Sequence, residues 1–97
     1  MANYYEVQIS MNEVSKIKYV GFAEVIEEHE TLDSAKGCAK GIYEDLKNGK
    51  SSEYLSECIY RPNEGHCIIG VEIMEVDEND GNHREYVDGF FFEPYVQ

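Results

Sequence analysis

The segment from Thr31 to Gly49 reads as a helix, and it limits what the rest of the chain can build. Leu32, Ala35, Cys38, Ala39, Ile42 and Leu46 form an i, i+3, i+4, i+7 stripe. Thr31 suits the N-cap, Asp33 complements the positive end of the helix dipole, and Gly49 closes the segment after Lys47. Gly37 and Gly41 inside it cost roughly 1 kcal/mol each in propensity, which reads as a weak helix rather than a packing notch. One helix covers only one face of a sheet. If the other segments are strands, the second face is left to solvent or to a partner.

Those segments do read as strands. Tyr5, Val7, Ile9 and Met11 alternate with Tyr4, Glu6, Gln8 and Ser10, the period of a half-buried strand. KIKYVGFAEVIEEH, residues 16–29, is rich in β-branched and aromatic residues. Its alternation slips near Gly21, which predicts a bulge there, and a helix from Phe22 to His29 is the competing reading. After the helix, PNEG following Arg61 and NDG following Glu78 place Gly where a type I turn closes on a left-handed residue. Tyr54, Leu55, Cys58 and Ile59 also suit a short helix, but the adjacent turn favours a strand over 52–60. The expected fold is α+β: an antiparallel sheet of about five strands, in the order β-β-α-β-β-β, with one main helix on one face. The 97 residues fit a single domain, 1–97.

Turn lengths set the expected registers. A three-residue Asn79, Asp80, Gly81 loop pairs Ile69 with Phe91, Ile73 with Val87 and Glu75 with Glu85. On the opposite face it pairs Glu72 with Asp88 and Met74 with Tyr86; a two-residue loop would instead set Ile73 against Asp88. The first register gathers one apolar set and is preferred. A four-residue Pro62 to Gly65 loop then puts Tyr60 by Cys67 and Cys58 by Ile69. The outer face would mix Ile59, Ile68, Met74, Tyr86, Phe90 and Phe92 with acids, a composition expected of a binding site or a dimer interface.

The formal net charge is −12, from 20 acids against 8 bases. Such a chain repels nucleic acid and anionic membrane, both of which need Lys and Arg to neutralise phosphate. Residues 1–30 carry −4, residues 31–50 carry +1, and residues 51–97 carry −9. The acid therefore belongs to the strands and their loops, and the helix is close to neutral. Carboxylates two residues apart on a strand stand about 6.6–7 Å apart, comparable to the few-ångström recurrence of phosphates. Glu72, Glu75, Glu85 and Asp88, edged by Asp77, Glu78, Asp80 and Glu93, would then suit a groove built for phosphates. Tyr86, Phe90 and Phe92 would add apolar anchors. This general profile is similar to that of the small acidic proteins with which phages and plasmids disable restriction or CRISPR enzymes, with no shared sequence motif.

The expectation is a non-enzymatic inhibitor of DNA-mimic type that binds a basic surface on a partner protein, such as a nucleic-acid-binding effector. A homodimer through the aromatic face, with acidity serving solubility, is the alternative; a small metal-binding or catalytic protein is the second. No direct nucleic-acid or membrane partner and no cofactor is expected. The opening MANYYEVQIS lacks a basic stretch followed by an apolar run, and three cysteines without CxxC argue against a disulfide framework. A cytoplasmic protein with free thiols follows, in the host cytoplasm if the chain is phage-encoded.

Other chemistry finds little support. DENDG, residues 77–81, brings its Gly one residue early for an EF-hand, and the twelfth position is Asp88 on an expected strand. Cys58, His66 and Cys67, with His29 or His83, are zinc-ligating types but lack paired C-x₂₋₄-C knuckles. Gly37, Gly41 and Gly49 fit no phosphate loop, and no nucleophile stands out, since Cys38 lies on the apolar stripe. No catalytic or metal residue is therefore assigned.

Overall fold

The computed structural model describes residues 3–14 and 19–93. The helix forms where its local signals put it. Thr31 Oγ1 accepts a hydrogen bond from Ser34 N at 3.2 Å, and α1 runs over Leu32–Lys47. Ala35, Ala39 and Ile42 are buried on its apolar stripe. An added Cβ at Gly37 or Gly41 would meet no neighbour within 4 Å, so neither glycine admits a close-packed partner.

Around α1 the chain forms β1 (Asn3–Val14), β2 (Tyr19–His29), β3 (His66–Asp77) and β4 (His83–Phe91). They make one antiparallel sheet in the spatial order β2-β1-β3-β4. The fold is α+β, with four strands among the described residues rather than five. The expected strand over 52–60 is absent because its backbone is satisfied locally. Ser51–Glu53 is a single 3₁₀ turn, and Ile59 and Tyr60 N–H both donate to Ser56 O. Those donors cannot join a ladder. Leu55, only 4% exposed, instead closes the core on the helix side, with Tyr54, Ile59 and Tyr60 packed against it. The expected pairings of Tyr60 with Cys67 and Cys58 with Ile69 fall with that strand.

The core lies between α1 and one sheet face. Val7, Ile9 and Met11 of β1 and Val71 and Ile73 of β3 are fully buried against Ala35, Ala39 and Ile42. Each such aliphatic side chain contributes about 1.5–3 kcal/mol. Among the described residues no helix covers the second face.

Three bulges set which side chains reach which face. In β2 the register with β1 shifts at Ile26, between Val25 and Glu27. The expected bulge at Gly21 is therefore misplaced: Gly21 pairs regularly with Asn12, and alternation fails five residues later. The competing helix over 22–29 does not form, and residues 16–18 of the expected strand lie outside the described residues. In β3 the register with β1 shifts at Ile69. In β4 the register with β3 shifts at Val87.

The β3–β4 turn keeps its expected chemistry. Asp77 Oδ1 accepts from Asn79 N at 3.0 Å, Glu78–Asp80 forms a 3₁₀ turn, and Gly81 and Asn82 are left-handed. Glu75 pairs with Glu85 and Met74 with Tyr86, as the three-residue loop predicts. Beyond Val87 the expectation fails by one residue. Ile73 pairs with Asp88, Glu72 with Gly89, Val71 with Phe90 and Gly70 with Phe91. Phe91 thus lies on the uncovered face, where Gly70 is required. A Cβ there would stand 2.3 Å from Phe90 O and 2.8 Å from the Phe91 ring.

Candidate interaction surface

Antiparallel pairing brings the start of β1, the end of β2, the β3–β4 turn and the start of α1 to one end of the sheet. Two acidic stretches remote in sequence meet there. One is the β2–α1 corner, with Glu27, Glu28, Glu30 and Asp33. The other is the end of β3 with its turn, carrying Glu75, Asp77, Glu78, Asp80 and Glu85. Two shallow clefts adjoin at Asn3. Glu28, Glu30, Glu78 and Tyr4 line the first, and Glu75, Asp77, Asp80 and Glu85 line the second.

Among the described residues, few of these acids are neutralised by a cation. Glu75 accepts hydrogen bonds from Asn3 Nδ2 at 2.9 Å and Tyr5 Oη at 3.4 Å, neither of them a cation. Glu75 faces Glu85 across the strands, a like-charge pair that is locally destabilising. His83 Nε2 stands 3.6 Å from Glu85 Oε1. The phenols record the resulting field. Burial pushes the Tyr4 pKa up, and Glu6, Glu28 and Glu78 push it further. Burial and Glu75 do the same to Tyr5.

The residues expected to form one acidic face divide among four places. Glu72 and Tyr86 are on the uncovered face, where Glu72 Oε1 accepts from Gln8 Nε2 at 3.1 Å and Tyr86 is 49% exposed. Glu75, Glu85, Asp88, Phe90 and Phe92 turn to the helix side. Asp77, Glu78 and Asp80 occupy the turn, and Glu93 is exposed just beyond β4. The expected Glu72–Asp88 opposition is absent. The Val87 bulge rotates Asp88 toward α1, where its carboxylate lies 3.8 Å from Lys36 Nζ. The same rotation stacks Phe90 on Tyr43, with ring centroids 5.7 Å apart, and sets Phe92 at a tilt against it at 4.8 Å. Ile59 and Ile68, also expected outside, pack against the core.

The uncovered face is therefore less aromatic than its sequence implied. Val25, 42% exposed, Tyr86, Met74 and Phe91 lie there beside Glu6, Glu28 and Glu72. The run EEHE at residues 27–30 was a legible charge signal for the acidic end. Its meeting with the DENDG turn was not legible, because strand order decides it.

Other candidate chemistry is also redistributed. His66 is buried, edge-on to Phe22 with centroids 5.1 Å apart, and its Nδ1 accepts from Arg61 N at 3.1 Å. Cys58, His66 and Cys67 do not form a ligand set. Among the described residues, Glu27, His29 and Cys38 are the group whose ligating atoms converge. Burial, reinforced by Glu27, pushes the Cys38 thiol up to about 11, so it is protonated at neutral pH. Among the described residues no helix is long and apolar enough to cross a membrane. No protein-family model, curated protein or solved structure matches the chain.

Proposed function

We propose that this chain is a non-enzymatic binding protein whose acidic sheet end occupies a basic, nucleic-acid-binding groove on a partner protein. The observation that carries the reading is the meeting of Glu28 and Glu30 with Glu75, Asp77, Glu78, Asp80 and Glu85 at one end of the sheet. A fold gains no stability from crowding like charges, and the Glu75–Glu85 pair opposes folding. A basic partner would relieve that repulsion and be steered to it over a Debye length. In the inhibitor form of this reading, the acidic end takes the place of a phosphate backbone in a nuclease of the restriction or RNA-guided class.

The test is a cleavage assay with a panel of such nucleases at rising salt. Inhibition should weaken steeply with salt and vanish in the Glu75→Lys, Asp77→Lys, Glu78→Lys, Asp80→Lys variant. Inhibition that persists in that variant, or no effect on any enzyme of the panel, counts against the proposal.

A second reading has its own observation. Val25 and Tyr86 are exposed on a sheet face that no helix among the described residues covers, which suits a second copy of the chain. Light scattering distinguishes the two readings: a dimer dissociated by Val25→Ser with Tyr86→Ser supports this one, with acidity serving solubility.

A further inference from the structure

We propose that Glu27, His29 and Cys38 form a binding site for a divalent transition-metal ion of the zinc class, fastening edge strand β2 to α1. One ligating atom from each residue lies within 4.8 Å of the other two. His29 Nε2 is 3.2 Å from Glu27 Oε1, and Cys38 Sγ is 3.6 Å from Glu27 Oε2. Tetrahedral bonds of about 2.0–2.3 Å place ligand atoms roughly 3.3–3.8 Å apart, so little movement is needed to admit an ion. The donor set of imidazole nitrogen, carboxylate oxygen and a cysteine sulfur that gives up its proton to solvent as the ion binds selects zinc-like ions over magnesium and calcium, which take oxygen.

The imidazole supplies the second observation. Its Nε2 is fully buried and has no hydrogen-bond partner, despite the nearby Glu27 oxygen. Its Nδ1 is 2.6 Å from Ser34 Oγ, in the first turn of α1. An Nδ1–H donated to that hydroxyl leaves the Nε2 lone pair facing Glu27 and Cys38, the orientation that metal-bound histidines receive from their outer partners. An unpaired buried nitrogen is destabilising, and coordination removes that cost.

The Ile26 bulge makes the arrangement. Phe22 and Glu24 share the helix-side face, and unbroken alternation would send Glu27 and His29 to the other one. The extra residue turns both toward α1, where Cys38 stands two turns into the helix. The Glu27 side chain is 57% exposed, so the ion has a route in and a fourth position open to water.

The test titrates the full chain, stripped with chelator and kept reduced, with Co(II) and then with Zn(II) as competitor. One equivalent of Co(II) should give a thiolate-to-metal charge-transfer band with intense four-coordinate ligand-field bands, and Zn(II) should abolish both. Cys38→Ser should lose the charge-transfer band, His29→Gln should lose the four-coordinate spectrum, and Cys58→Ser should keep both. Ser34→Ala should weaken Zn(II) binding about 10–100-fold. Circular dichroism of each variant separates lost ligation from lost fold. A charge-transfer band that survives Cys38→Ser or disappears in Cys58→Ser overturns the proposal. So does a folded chain with no charge-transfer band at stoichiometric Co(II).

Discussion

Arg84 reaches from β4 across β3 to hold Glu6 of β1, with Nε 2.8 Å from Oε1 and Nη2 3.2 Å from Oε2. Between them lies Val76, fully buried although no helix among the described residues covers that face, with Tyr4 as its partner on β1 and Arg84 as its partner on β4. The long arginine side chain thus does two jobs: it shields an aliphatic residue and pairs a carboxylate that is only 4% exposed. Arg84→Ala should lower the thermal unfolding midpoint by stranding that carboxylate. Replacing both partners with Leu should give a more stable protein than Arg84→Ala alone. An Arg84→Ala midpoint equal to that of the parent would show that Glu6 is adequately hydrated without its cation.

Phe90 and Tyr86 separate the two sheet faces. Phe90 stacks on Tyr43 and packs against the core, so Phe90→Ser should cost about 2 kcal/mol in chemical denaturation. Tyr86 is 49% exposed, and Tyr86→Ser in the monomer should stay within about 0.5 kcal/mol of the parent. The reverse ranking would mean that Val87 is not bulged and that Phe90 faces outward.

Gly37 and Gly41 are exposed on α1 with open space where a Cβ would sit. Gly37→Ala and Gly41→Ala should each stabilise the fold by about 0.5–1 kcal/mol, close to additively. Urea titration reads this directly. A loss of stability in either variant would reveal a partner surface approaching the helix there.

Stability should fall in alkali. The hydrogen bond from Tyr54 Oη to Asp45, followed by burial, pushes the phenol from 10.0 up to about 12. Burial also raises Tyr5, Tyr60 and Tyr86. A phenol with a raised folded pKa binds more protons folded than unfolded between the two values. Its contribution is therefore complete below about pH 10 and is lost as pH rises toward about 12. Thermal midpoints from about pH 9 to about pH 11.5 should decline, and Tyr54→Phe should make the decline shallower. An unchanged slope in that variant would assign the alkaline loss to the other tyrosines.

How much of this was legible in the sequence follows the range of the interactions. Helix α1 could be read from Thr31, Asp33, the apolar stripe and Gly49, because a helix bonds each residue to one four positions away. The 77–83 turn and the Glu75–Glu85 and Met74–Tyr86 pairs were legible for the same reason: they are set within a few residues of Gly81. The net charge and its bias toward residues 51–97 were also fixed in advance.

Tertiary structure alone decided the rest. A bulge depends on how a neighbouring strand and the core accept an extra residue, and it reverses the facing of the side chains beyond it. Ile26 turned Glu27 and His29 toward Cys38, and Val87 took Phe90, Phe92 and Asp88 off the outer face. The strand order β2-β1-β3-β4 then brought the β2–α1 corner and the β3–β4 turn to one end of the sheet. Two acidic stretches remote in sequence thus became neighbours, because strand pairing is long-range and no local signal encodes it.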